Sequence, residues 1–246
     1  MNTLFKFYVP AWLFLGLAAA RMLPALWDAA QRAPAWLRVP WQAAAGVLLA
    51  GSLVFLAVGV RHRVDDRFPG ARPPLGTLDA TAYMTVGEYT WPDSDSVIPL
   101  RYEREAIQWL LRNVSGTPVV AEAPAGSYTV GDESVSYDYY RAGGLRVASL
   151  TGFPTFVGQH QYEQRPGDQV AERTMQAMRL FQTTDIAEAR RLLAELRVGY
   201  VYIGRLERIL FSADALRKFD VLVDAGELAA IYRNPDVTIY RVNRPG

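Results

Sequence analysis

Glu122 closes the apolar run Val119-Val120-Ala121, so a strand ending there carries a carboxyl group at its tip, placed to act as an acid, a base or a hydrogen-bond acceptor. The same position equally suits a solvated strand-end carboxylate. A second concentration is YDYYR, residues 137–141. There the rings of Tyr137, Tyr139 and Tyr140 could stack on a sugar or a prenyl chain while Arg141 pairs with a phosphate, or the rings could form an ordinary aromatic face packed on the sheet. The third is TGFPTFVGQHQYEQR, residues 151–165, in which Gly152, Pro154 and Gly158 tighten a loop that presents His160, Gln161, Glu163 and Arg165 together. His160 reads either as a base or metal ligand or as a hydrogen-bonding surface residue. Glu163 and Arg165 read either as site groups or as a solvated ion pair. No catalytic residue can be assigned from these clusters: the chain has no nucleophile elbow, no metal-ligand spacing, and neither G-x-G-x-x-G nor G-x-x-x-x-G-K-[ST]. With 0 Cys and 2 His, a zinc site is short of ligands, and no cofactor is evident.

The elements that must position these groups alternate in type. Ile107, Leu110, Leu111 and Val114 recur at helical spacing over 103–114, and Gly116 with Pro118 stops that helix before the Val119-Val120 strand. Further strands are expected at Leu145 to Leu150 and at Tyr200 to Ile203. Between them, Asp185 and Glu188 form a D-x-x-E capping box ahead of Ile186, Leu192, Leu193 and Leu196, an amphipathic helix stopped at Gly199. Ala229 to Tyr232 and Val237 to Val242, around Asn234-Pro235-Asp236, read as a terminal hairpin. The expected fold is α/β with a mainly parallel sheet, and in such sheets ligands bind outside the carboxyl ends of the strands, where Glu122 falls.

Ahead of this domain lie two apolar stretches. Trp41 to Val60 carries no charge and has the length that crosses a bilayer core. Phe7 to Leu26 has Tyr8 and Trp12 near one end and Trp27 just past the other, with Arg21 snorkelling or facing protein. Its aromatic start does not fit a secretory signal. The expected organisation is a membrane anchor over 1–63 with spans at about 7–26 and 41–60, a Pro/Gly/Arg-rich linker over 64–77, and a soluble α/β domain over 78–246. The formal charge of +1, from 26 basic and 25 acidic residues, gives no cationic field, so a nucleic-acid partner is not expected. Arg61, Arg63, Arg67 and Arg72 outnumber Arg32 and Arg38, a slight bias toward a cytoplasmic C-terminal domain.

Five stretches, MNTLFKFYVPAW (1–12), TLDATAYM (77–84), REAIQWLLRNVSGTPVVAEA (104–123), SLTGFPTFVGQHQYEQR (149–165) and TTDIAEARRLLAELRVGYVYIGRLER (183–208), resemble in order the YYY family of large bacterial and archaeal membrane proteins. That family is similar in architecture to GT-C membrane glycosyltransferases. The resemblance implies that this chain corresponds to the C-terminal portion of a larger protein and that its α/β domain is extracytoplasmic, against the arginine bias. It implies a polyprenyl-phosphate-linked sugar as donor, with Tyr139, Tyr140 and Arg141 on the carrier and His160, Glu163 and Arg165 on sugar or acceptor. GT-C enzymes hold their catalytic acid in a loop that nothing here matches, so activity of the chain alone is not expected. Gln159 stands where relatives commonly carry an aromatic residue. The expected partners are membrane lipid, a lipid-linked sugar and an upstream membrane subunit. The alternative is a non-catalytic extracytoplasmic domain that docks on such a subunit, and a hydrolase built on Glu122 and His160 is the weakest of the readings.

Overall fold

A computed structural model describes residues 2–74, 76–90, 96–137, 145–158 and 161–243, together with their side chains other than those of residues 2–5, 162 and 163. Tyr139, Tyr140, Arg141 and His160 therefore lie outside the described residues, as does the side chain of Glu163.

The chain divides into two compact units, 1–69 and 70–246. The first is helical: α1 (Asn2–Arg32), α2 (Ala35–Val54) and α3 (Val60–Arg67), the last two joined without a break by a π-turn over Phe55–Gly59. Two stretches, Lys6–Arg32 and Ala35–Arg67, with mean hydropathies of 1.5 and 2.3, are long and apolar enough to cross a membrane. Most of their apolar side chains are exposed: Phe14 is 67% exposed, Leu48 75% and Phe55 75%. Trp27 and Trp41 meet edge to face at 5.8 Å across the turn between them. The helix runs to Arg67, past the expected boundary at 63, because nothing over Val60–Arg67 breaks it before Pro69.

The second unit opens with the short pair β1 (Glu88–Thr90) and β2 (Val97–Pro99), followed by α4 (Leu100–Asn113) and β3 (Val119–Ala121). A hairpin, β4 (Gly126–Val130) with β5 (Glu133–Tyr137), precedes α5 (Arg146–Thr151), α6 (Gln161–Gln164), α7 (Gly167–Gln182) and α8 (Ile186–Glu195). The chain then forms β6 (Val198–Ile203), α9 (Arg205–Leu210), α10 (Ala213–Asp224), β7 (Leu228–Arg233) and β8 (Thr238–Val242).

The principal sheet has the order β3-β6-β8-β7. Alternate residues of its central strands face opposite cores: Val201, Ile203 and Tyr240 pack with Phe181, Leu192 and Phe219, whereas Tyr202 and Ile239 pack with Ala106, Leu110 and Val147. Helices thus cover both faces, α4 and α5 on one and α7 to α10 on the other. The sheet is mixed, not mainly parallel. β3 runs parallel to β6, but β8 is antiparallel to both β6 and β7, because the terminal hairpin folds back beside β6 instead of crossing over. Asn234 shapes that hairpin's turn, its side-chain oxygen accepting from the N–H groups of Asp236 and Val237.

The segment expected as a strand over 145–150 is the helix α5. A six-residue apolar run carries no decisive period. Here the Glu122 carboxylate takes the N–H groups of Val147 and Ala148, and Gly152, at φ +75°, ends the helix. At α8, Asp185 accepts from the Ala187 N–H as a cap should, but Glu188 turns to Arg179 and Thr183, so only half of the expected box closes.

Candidate functional site

The parallel strands β3 and β6 end side by side, and the next residues, Glu122 and Gly204, lead into a buried charged cluster. Glu122, only 1% exposed, holds the first turn of α5 through hydrogen bonds of 2.9 Å from Val147 and Ala148. Glu207, in the first turn of α9, accepts from the Gly204 N–H at 2.8 Å and from the Ala123 N–H at 3.0 Å, so one carboxylate ties together the ends of both strands. Arg146 lies between them. Its Nη2 donates to Glu207 at 2.7 Å and its Nε to Glu103 of α4 at 2.8 Å, while Nη1 stands 3.9 Å from Glu122 without a hydrogen-bond partner among the described residues. The guanidinium carbon lies 5.3 Å from the centre of the Tyr202 ring.

Two backbone features allow this approach. Leu145, next to Arg146, has φ 53°, a left-handed conformation that costs a bulky residue about 1–2 kcal/mol and is held only because its surroundings demand it. At Gly204, an added Cβ would lie 3.0 Å from Tyr202, 3.2 Å from Nη2 of Arg146 and 3.2 Å from Glu207, so the absence of a side chain admits the ion pair.

Three carboxyl groups surround one guanidinium, and burial raises the pKa of two of them. Desolvation pushes Glu122 up to about 7, against the opposing pull of Arg146 and the two backbone N–H donors. It raises Glu103 as well, again opposed by Arg146 and reinforced by the charge of Glu207. For Arg146 itself burial works against the charge, but Glu103 and Glu207 outweigh it and keep the guanidinium protonated. The cluster can therefore hold a proton on Glu122 near neutral pH while Arg146 keeps its charge.

Beside the cluster is a cavity of about 200 Å³, walled by Tyr83, Met84, Tyr89, Leu100, Glu103 and Arg146. Its lining is mostly apolar and carries one carboxyl group, one guanidinium group and the phenols of Tyr83 and Tyr89, which suits an apolar body with a polar end. Among the described residues no group of three His, Cys, Asp or Glu could hold a metal ion; the Glu103, Glu122 and Glu207 carboxylates are separated by the arginine. A larger groove of about 820 Å³ at the opposite end of the sheet, between Leu193, Leu222 and Val242, carries the exposed Arg190–Glu227 pair on its wall and is remote from this cluster.

Of the residues singled out in the sequence, Glu122 stands at the expected sheet edge with both oxygens engaged by backbone. Arg165 lies elsewhere, exposed between α6 and α7, where it borders a cavity of about 440 Å³ together with Arg173. Sequence reasoning missed Glu103, Arg146 and Glu207. Glu103 shares a helix face with Ile107 and Leu110, which is the mark of a buried acid. Glu207 stands three residues after Gly204, at the position that returns to a helix's first N–H. Arg146 sits inside an apolar run and gives no such sign. No family model matches this chain, and no curated protein matches it.

Proposed function

We propose that the chain is the membrane-anchored portion of a GT-C-like glycosyltransferase that uses a polyprenyl-phosphate-linked sugar, with its α/β domain on the extracytoplasmic side. The observation that carries this reading is the convergence of resembling stretches on one buried cluster. Glu122 lies in the stretch over 104–123 and Glu207 in that over 183–208, while Glu103 directly precedes the stretch that begins at 104 and Arg146 stands three residues before the one that begins at 149. Two helices long and apolar enough to cross a bilayer fit the anchor. In this reading Glu103, Glu122, Arg146 and Glu207 are positioning residues: they fix the strand ends and α5, and the cavity beside them receives an apolar or sugar-bearing group. The catalytic acid or base is supplied by a separate part of the assembly.

The test is photolabelling of the full chain, in the membranes that contain it, with a polyprenyl-phosphate sugar bearing a benzophenone on its prenyl chain. Labelling that is competed by the unmodified donor is expected. Absent labelling, or labelling that the donor does not compete, overturns the proposal. A second reading, a non-catalytic domain that docks on a membrane subunit, is favoured by one observation: the cluster's carboxylates are spent on backbone N–H groups and on Arg146. An unlabelled chain that leaves the membrane bound to a defined multi-span protein fits that reading.

A further inference from the structure

The cavity bordered by Arg165 and Arg173 is distinct from the buried cluster. Its floor is apolar, from Phe156, Val157 and Val170, and its rim is polar, from Gln161, Arg165 and Arg173. Neither arginine has a carboxylate within ion-pair distance among the described residues, whereas Arg179 on the same helix, α7, is paired with Glu188 at 2.9 Å. The spacing explains the difference. Arg173 has Gln169 and Val170 one turn before it and Gln176 and Ala177 one turn after, so no acid stands at a distance of three or four residues. The two guanidinium groups therefore share a concave opening with the amides of Gln161 and Gln169, and among the described residues no carboxylate lines it.

We infer that this opening binds a phosphate group, held by the Arg165 and Arg173 guanidinium forks. Planar forks match tetrahedral oxyanions in a bidentate manner, and Gln161 adds an amide donor at the rim. The phosphate source is either a free phosphate or the headgroup of a lipid; only the lipid source rests on the polyprenyl-phosphate reading above.

The full chain in dodecyl maltoside micelles is titrated calorimetrically with inorganic phosphate in chloride buffer. Saturable binding is expected, about ten-fold weaker in Arg165→Ala and in Arg173→Ala, lost in the double variant, and partly recovered in Arg173→Lys. Arg190→Ala, whose side chain pairs with Glu227 in a different groove, should bind as the unaltered chain does. Melting temperatures without phosphate separate lost binding from lost folding, and Arg→Gln replaces Arg→Ala wherever the latter lowers them. Absent saturation in the unaltered chain, or binding undiminished in the double variant, overturns the site. Repeating the titration in micelles doped with polyprenyl phosphate identifies the source. Displacement of the isotherm assigns a lipid headgroup. An unchanged isotherm assigns free phosphate, which leaves the site standing and removes its link to a lipid donor.

Discussion

Glu122 and Arg146 stand 3.9 Å apart without a hydrogen bond, although both are buried and their groups are an acid and a base. The carboxylate is committed to the first turn of α5, and the guanidinium to Glu103 and Glu207. They act on one another only through space, and the cluster is held in place by its links to backbone and by the pairs that Arg146 makes with Glu103 and Glu207.

Arg146→Met should therefore be severe. Removing one partner from a buried ionic cluster leaves uncompensated carboxylates and costs about 3–5 kcal/mol. The loss should be larger at pH 8 than at pH 5, since protonation relieves the orphaned acids. Urea unfolding at the two pH values measures it, and an equal or smaller loss at pH 8 contradicts the electrostatic account.

The raised pKa of Glu122 gives stability a definite slope. The folded state keeps this proton up to about 7, whereas the unfolded chain releases it near 4.5. The contribution is thus complete below 4.5 and is lost as pH rises through 7, with a ceiling of about 3 kcal/mol. Glu122→Gln should flatten the stability curve between those values, at some cost to α5 because an amide cannot accept two N–H groups as well as a carboxylate can. An unchanged slope would take Glu122 out of the titration.

Lys218 should act in the opposite sense. It is 2% exposed, donates to the carbonyls of Phe181 and Ala215, and burial lowers its pKa to about 7. Between about 7 and 10.5 the unfolded chain holds the extra proton, so stability rises with pH across that window and is depressed below it. Lys218→Met should remove this rise, and its stability relative to the unaltered chain should be best near pH 6. Thermal melting from pH 6 to 10 provides the measurement.

Residues 70–246 form a unit with their own two-faced core, and expressed alone they should remain soluble and unfold in one cooperative transition. The full chain should resist extraction by alkaline carbonate. A non-cooperative melt of the shorter piece, or release of the full chain by salt, would count against this division.

Helices with a strong apolar stripe were readable from sequence, α4 and α8 above all, and so was the hairpin, whose turn chemistry is concentrated in Asn234. The direction of β8 was not, because a hairpin's pattern gives its internal pairing and says nothing about which neighbour it joins. α5 was misread for a related reason: what makes it a helix is the side chain of Glu122, 25 residues away from Val147. The same holds for the cluster. Glu122 was visible at a strand end, but its neighbours come from α4, α5 and α9, and only folding brings Glu103, Arg146 and Glu207 to it.

Glu207 has a consequence for the time course of folding. Its bond to the Ala123 N–H joins positions 84 residues apart and exists only once β3 and β6 lie alongside each other. Contacts that close so long a loop come after the local helices and the hairpin, when the entropy of closure has been met by the sheet itself. A latch made that late adds little to the rate at which the chain folds and resists its opening, so Glu207 sets the lifetime of the folded edge more than the speed of its assembly.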